Sequence, residues 1–491
     1  MAGHRRIAPV ARTTGLPRYS HHMTRSTQLA VALAAAMLSG CGVNHSEGPP
    51  PPDSTQAAGF LDTLEERTFH YFWDLTNSTN GLTPDRSPTP SFSSIAAVGF
   101  ALTAYPIGVE RGYTTRAQAA ARTLTTLRFF ATATQDSSAS GATGYHGFFY
   151  HFLDMSTGKR YQTVELSTID TALLLAGVLF CQSYFDNATD SSEAAIRRLA
   201  DSIYRRTDWQ WFSPRPPVVA LGWHPEPGTG FRSYDWRGYN EAMILYLLAL
   251  GSPTHPVDTA AWSRWTSAYQ WGTFYGQSHV GFAPLFGHQY SHVWIDFRGI
   301  HDAYMQAHGI DYFENSRRAT YAQQAYAAAN PGGWTGYSSR IWGLTASDGP
   351  GDVTLTLSGR QRQFHSYWAR GASFTETPDD GTLAPTAAGG SIPFAPEIAV
   401  PALWAMRQTY GASLFSTYGF RDAFNPTFTQ SSAAGWFDVD YLGIDEGPIV
   451  AMIENYRTGL VWRVMKTNPY IVRGLCRAGF AGGWLVGKCP P

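Results

Sequence analysis

Glu241 is the first candidate for proton transfer in this chain. It is the only carboxylate in RGYNEAMILYLLALGSP, Arg237 to Pro253, and sits just ahead of a long apolar run. A surface helix would show a polar stripe, so an all-apolar one is expected to be buried, with its polar start opening on a cleft. A carboxyl at such a mouth can act as a general acid if burial raises its pKa against the helix dipole, which lowers it. The simpler role for Glu241 is to complement that dipole. A second acidic position lies in GIDEGP, Gly443 to Pro448. There Asp445 is expected in a turn ended by Gly447-Pro448, ahead of another apolar helix, with no basic neighbour in sequence. Two such groups in one cleft suit hydrolysis of a glycosidic bond. One protonates the leaving oxygen and the other activates water on the opposite ring face, at a separation of roughly 6.5–9.5 Å when the reaction inverts.

Other carboxylates stand at loop-to-helix junctions. Glu165 and Asp170 lie in VELSTIDTALLLAG, Asp296 and Asp302 in WIDFRGIHDAY, and Asp438 and Asp440 just before Asp445. Each has a structural alternative. Glu165 could sit in a first turn capped by Ser167 or Thr168, and Asp170 could bond within a helical bundle. Asp296 beside Arg298, and Glu454 beside Arg457, read more simply as ion pairs. The loop LGWHPEPGTGFRSYDW, Leu221 to Trp236, is dense in Gly, Pro and rings, as a shaped binding surface would be. Trp223, Trp236, Tyr239, Trp294, Trp342 and Trp436 are candidates to stack on sugar rings. Arg232, Arg298 and His365 are candidates to bond hydroxyls, although several of these side chains are expected to belong to the core. His288 and His292 have metal-like spacing but lack the glutamate of HExxH and a third ligand, so no metal site and no cofactor are expected.

Placing these residues calls for many helices. The 491 residues include 36 Lys plus Arg against 37 Asp plus Glu, which gives no basic excess for nucleic acid. Aromatics make up 14%, with 16 Trp, in keeping with a carbohydrate-facing cleft. Apolar periodicity predicts helices over Gly59–Thr76, Ser93–Gly112, Thr115–Gln135, Leu166–Phe185, Ser191–Arg206, Asn240–Leu250, Val257–Gly272, Val293–His308, Asp311–Ala329, Pro393–Tyr410 and Pro448–Lys466, with a short twelfth near Arg340–Leu344. Some are amphipathic and others apolar all round. That alternation fits an all-α, (α/α)6 toroid of six inner and six outer helices, with the inner helix starts ringing one cleft. Only Asp352–Leu357 reads as strand, in a small hairpin.

The first forty residues read as an export signal of lipoprotein type. A basic region precedes LAVALAAAM, which is too short to span a bilayer, and LSGC ends at Cys41, the expected lipidation site. Residues 41–58, with PPPP at Pro49 to Pro52, read as a tether. Residues 59–491 then form one domain, expected to be monomeric, exported, anchored by lipid to the outer membrane, and periplasmic or surface facing. A Cys476–Cys489 disulfide closes a short terminal loop, and Cys181 is expected to be buried.

The motifs ELSTIDTALLLAG, GYNEAMILYLLALGSP, LFGHQYSHVWIDFRG and GIDEGPIVAMIENYRTGLVW together resemble the bacterial putative-glucoamylase family, which overlaps glycoside hydrolase family 144, the β-1,2-glucanases. The likeness covers most of residues 60 to 470. It implies an (α/α)6 fold and inverting hydrolysis of β-1,2-glucan, either endo or releasing sophorose. It also implies Glu241 as the acid, Asp445 rather than Asp440 as the base, and Glu165 and Asp170 in a stretch that meets substrate. The departure is Glu446, where many relatives are expected to carry Gln, and it leaves the base open among Asp445, Asp440 and Glu446. Three other readings stand beside this one: an α-glucan-cleaving glucoamylase, a non-catalytic glycan-binding surface lipoprotein, and a phosphorylase. The last would need an Arg, His and Ser or Thr cluster near the base, which the sequence does not show locally.

Overall fold

Two stretches without a polar stripe, Ile95–Glu110 (α2) and Thr168–Tyr184 (α4), pack against each other at the centre of the molecule. Nearly every residue of both is buried. Glycine permits their close crossing: a Cβ on Gly99 would lie 2.3 Å from the Leu173 oxygen, and one on Gly177 would lie 2.1 Å from the Gly99 oxygen. Two more apolar helices, Met243–Gly251 (α6) and Gly443–Arg457 (α13), pack on α4 and α2 respectively. Around this centre lie Ser54–Leu75 (α1), Arg116–Thr132 (α3) and Ser191–Arg205 (α5). In α5 the buried positions Ile196, Ala200, Ile203 and Tyr204 form one stripe, as expected for a helix with solvent on its other side.

This computed structural model describes residues 49–489, which are mainly helical. The remaining helices among them are Ala260–Thr266 (α7), Tyr290–Trp294 (α8), Ala303–His308 (α9), Tyr312–Ala329 (α10), Pro385–Gly389 (α11), Pro396–Tyr410 (α12), Leu460–Met465 (α14) and Pro469–Arg477 (α15). None of the described helices is long and apolar enough to cross a membrane. The expected signal, residues 1–40, and Cys41 lie outside the described residues.

Several sequence expectations are corrected. Val293–His308 is not one helix: α8 and α9 are separated by an irregular segment. There Gly299 takes φ +72°, and Asp302 accepts from the Met305 N–H at 2.9 Å, starting α9 afresh. Pro448 does not begin a helix but lies inside α13, so Asp445 and Glu446 occupy its first turn rather than a preceding one. Proline removes one intrahelical bond there, yet the buried surroundings hold the helix through it. Arg340–Leu344 is a turn, with Ser338 N–H bonded to the Ile341 oxygen. Val257–Gly272 shortens to α7, followed by an antiparallel pair, Trp271–Phe274 with Gln277–Val280. Near the start of the described residues α1 takes in residues 54–58 of the expected tether, and Arg340 donates to the Pro49 carbonyl at 3.0 Å.

The exposed hairpin of Val353–Leu357 with Arg360–Phe364 is present, but it is not the only sheet. Gly144–Tyr145, Phe148–Tyr150, Leu166–Ser167, Gly222–His224 and Gly230–Phe231 form a five-stranded antiparallel sheet. Strand Leu166–Ser167 runs directly into α4. Cys476 and Cys489 are disulfide-bonded, and Cys181 is a buried thiol.

Candidate active site

Glu241 lies in the turn two residues before α6, a helix whose N-cap, Ala242, has no side chain to offer. Ser291 of α8 fills that role across the interface. Its hydroxyl accepts from Ile244 N–H at 2.9 Å and donates to the Glu241 carbonyl at 3.3 Å. Glu241 is thereby fixed at its backbone, while its half-buried carboxyl receives no bond from another side chain among the described residues. Burial pushes that carboxyl up to about 7, with the charge of Asp170 adding and its own main-chain N–H opposing. Desolvation therefore outweighs the helix end.

Asp170 stands in the first turn of α4, where Ser167 both caps the helix and donates to the Asp170 carboxylate at 2.5 Å. His151 bridges the two neighbouring acids, with Nδ1 3.1 Å from Glu165 and Nε2 3.5 Å from Asp170. Burial works against charge on His151, yet Asp170 and Glu165 raise its pKa to about 9. Burial likewise opposes charge on Glu165, but the bond and charge of His151 hold it down to about 2. Burial raises Asp170 against the same cation. Glu165 is not in a helix; it precedes the strand that feeds α4, so Ser167 does not cap it. Trp236 is fixed beside this group, its indole donating to Thr168 Oγ1 at 2.9 Å.

Asp445 belongs to a second acidic group. Strand Arg86–Ser87 pairs with Tyr441–Leu442, which sets Arg86 beside the start of α13. Arg86 bonds Asp348, reaches Asp85 at 3.2 Å and lies 3.8 Å from Asp440. Asp440 accepts from Thr89 N–H at 2.8 Å, so Arg86 and a main-chain donor already engage it. The Asp348 N–H donates to Asp422 Oδ2 at 2.7 Å, and carboxylate oxygens of Asp348, Asp422 and Asp438 lie within 4.8 Å of one another. Such oxygens are of the kind that hold a hard cation, but the charge placed among them is the Arg86 guanidinium. With one arginine against so many acids, burial and like charge prevail. Asp445 and Asp438 rise to about 8, burial first, and burial drives Asp422 and Glu446 well above the ordinary range.

Tyr290 of α8 lies near carboxyls of both groups. It is buried, and its phenol pKa is raised by burial and then by the charges of Asp445, Tyr367, Glu241 and Asp422. Both candidate catalytic carboxyls are thus within electrostatic reach of one ring.

Other expected site residues fall elsewhere. Trp294 is fully buried, stacked on Phe100 with its indole bonded to Thr103 Oγ1 at 2.9 Å, and belongs to the core. Tyr239 is buried among Tyr269, Tyr312 and His288. Arg298 is held by Asp296 at 2.7 Å and lies over the Trp462 ring. Trp342 is likewise core. His365 packs on Trp368 near the base of the hairpin, and Trp436 is half-buried on a strand paired with Phe424–Asn425. His288 and His292 are buried and hydrogen-bonded to the Phe282 carbonyl and to Ser316, with burial pushing both pKa values down to about 3. Sequence reasoning missed His151, Asp85, Arg86, Asp348, Asp422 and Tyr290. The turn residues beside several of them, in PDRS and SDGPG, were the available signal.

This mainly helical architecture is shared with known proteins. The putative-glucoamylase family model matches residues 233–469. A putative glucoamylase of Bacteroides uniformis is 31% identical, with a TM-score of 0.75 over 88% of this chain and 100% of that one. The chain belongs to the putative-glucoamylase family. An endo-β-1,2-glucanase of Chitinophaga pinensis, solved with sophorotriose and glucose, is 27% identical with a TM-score of 0.74, over 87% of this chain and 99% of that one. An exo β-1,2-glucooligosaccharide sophorohydrolase (non-reducing end) of Parabacteroides distasonis is 30% identical over 450 residues, 84% of this chain. The chain spans 57% of that curated relative's length.

Proposed function

We propose that this protein is a glycoside hydrolase that cleaves β-1,2-glucan with inversion. It would be an (α/α)6 double ring with α2, α4, α6, α8, α11 and α13 as its inner helices. The observation that carries the reading is the placement of Glu241 and Asp445 at the starts of α6 and α13, both within reach of Tyr290. The names of the similar proteins supply the linkage. In this mechanism Glu241 gives its proton to the glycosidic oxygen as the bond to the anomeric carbon breaks. Asp445 takes a proton from the water that attacks the opposite face. Trp236 and the Glu165–His151–Asp170 group lie on the acid side, where the ring would stack on a sugar and the charged group would bind its hydroxyls. The acidic excess around Asp445 disfavours phosphorolysis, since an incoming phosphate would meet carboxyls with Arg86 already engaged.

A digestion panel of β-1,2-glucan, sophorose oligosaccharides, starch and laminarin tests the reading. Short β-1,2-linked products with inverted anomeric configuration by proton NMR are expected. Activity on starch alone would replace the linkage, and retained configuration would turn one carboxylate into a nucleophile. We also propose that Cys41 carries a lipid anchoring the mature protein to the outer membrane, on the strength of LSGC after a short apolar run.

A further inference from the structure

The side chains of Asp422 and Asp445 meet within hydrogen-bonding reach, and each presents a buried carboxyl oxygen that accepts no donor among the described residues. Two carboxylates cannot make that contact without a proton between them. The remaining geometry agrees: Asp422 Oδ1 and Asp445 Oδ2 are both buried and accept no other donor among the described residues, whereas Asp422 Oδ2 is already engaged by the Asp348 N–H. The two partners are not equivalent. Asp445 is the third residue of α13, whose first turn has no side-chain cap, so the free N–H groups and dipole favour its charge. Asp422 lies among Asp348 and Asp438, which disfavour charge on it.

Resting on the assignment of Asp445 as base, we propose that Asp422 is a positioning residue that keeps its proton and donates it as a hydrogen bond from Oδ1 to Asp445 Oδ2. Asp445 Oδ1 is then the oxygen that receives the proton of the attacking water. The water oxygen bonds to the anomeric carbon, the leaving oxygen takes the Glu241 proton, and the Asp422 proton stays in place throughout. The bond orients the base and offsets the crowding of Glu446, Asp348 and Asp85 around it. Arg86 faces the pair from its strand, and Tyr290 and Tyr367 face it as neutral phenols.

The test compares Asp422→Asn with Asp422→Ala in the full chain, following kcat, KM and the dependence of kcat/KM on pH. An amide still donates to Asp445 and carries no charge. Asp422→Asn should therefore keep kcat within a few-fold, with the alkaline limb of the profile, which Asp445 sets, unmoved. Asp422→Ala removes the donor, so kcat should fall about ten-fold or more at near-constant KM, and that limb should move to higher pH. If Asp422→Ala does not fold, Asp422→Ser, too short to reach, takes its place with the same expectation. An alkaline limb displaced to lower pH in Asp422→Asn would show that Asp422 is ionised in the native enzyme, and the inference falls. It falls equally if Asp422→Ala or Asp422→Ser leaves kcat and both limbs unchanged. Asp445→Asn separates the two levels: full activity in that variant removes the base assignment, whereas a dead Asp445→Asn beside an unaltered Asp422→Ala removes only the role of Asp422.

Discussion

Replacing Asp445 with Asn should stabilise the protein as it destroys activity, and the gain should depend on pH. Asp445 is 4% exposed, and its pKa rises from 3.8 to about 8. A carboxyl whose folded pKa is raised binds more protons folded than unfolded between those values. Its contribution is therefore most favourable below pH 3.8 and is lost as pH rises to about 8. Asn never ionises and escapes the loss. At about 1.36 kcal/mol per pH unit, the variant should gain under about 1 kcal/mol at pH 4, about 2 at pH 5 and about 4 at pH 7, with little further gain above pH 8. These figures are ceilings, because Asp422 and Glu446 relax as the charge goes. With an unfolding entropy of roughly 2.1 cal/mol/K per residue over the ordered chain, each kcal/mol is worth about 1 °C in Tm. Scanning fluorimetry of both proteins at pH 4, 5, 7 and 9 should thus show Tm curves nearly touching at pH 4 and separating by up to about 4 °C at pH 7. A separation that does not grow with pH, or a less stable variant at pH 7, would refute the claim that burial and neighbouring acids raise the pKa of Asp445.

Glu241→Gln keeps the shape but removes the transferable proton, so kcat should drop by about 10²- to 10⁴-fold; near-normal turnover would falsify its role as acid. In the native enzyme, kcat/KM against pH should break near 7 and near 8, with a maximum about midway and only about 6% of molecules in the working protonation state there. A single limb in this range would contradict the pairing. Trp236→Ala should raise KM with little loss of Tm, whereas Trp294→Ala should cost about 3–5 kcal/mol of stability. The opposite pattern in kinetics and melting would exchange their roles. Cys41→Ala should leave the protein unprocessed or released from membranes, and a variant that still fractionates with membrane at wild-type size would exclude the lipid anchor.

What could be read from the chain follows from how local each signal is. The starts of α2, α4 and α5 were legible because a capping Ser or Asp stands directly before a long apolar or amphipathic run. Glu241 was legible for a related reason: one acid ahead of nine consecutively buried residues has few explanations. The start of α13 was hidden by Gly447-Pro448, which in sequence mimic a helix boundary, while in the fold the buried helix runs through them. The Asp445 side of the site was hardly legible. Asp348, Asp422 and Asp445 come from three distant stretches, and Arg86 from a fourth, placed by a two-residue strand too short to leave a period in the sequence. The Glu241 side is locally encoded, Asp170 and Glu165 arriving with α4 and its feeder strand, and its charges are balanced by His151. The Asp445 side is assembled from afar, and there burial and like charge raise the carboxyl pKa values instead. Sequence shows which acids exist, but which of them must stay protonated depends on packing that brings like charges into contact. That is why Asp445 could be named from GIDEGP while its partner, Asp422, could not.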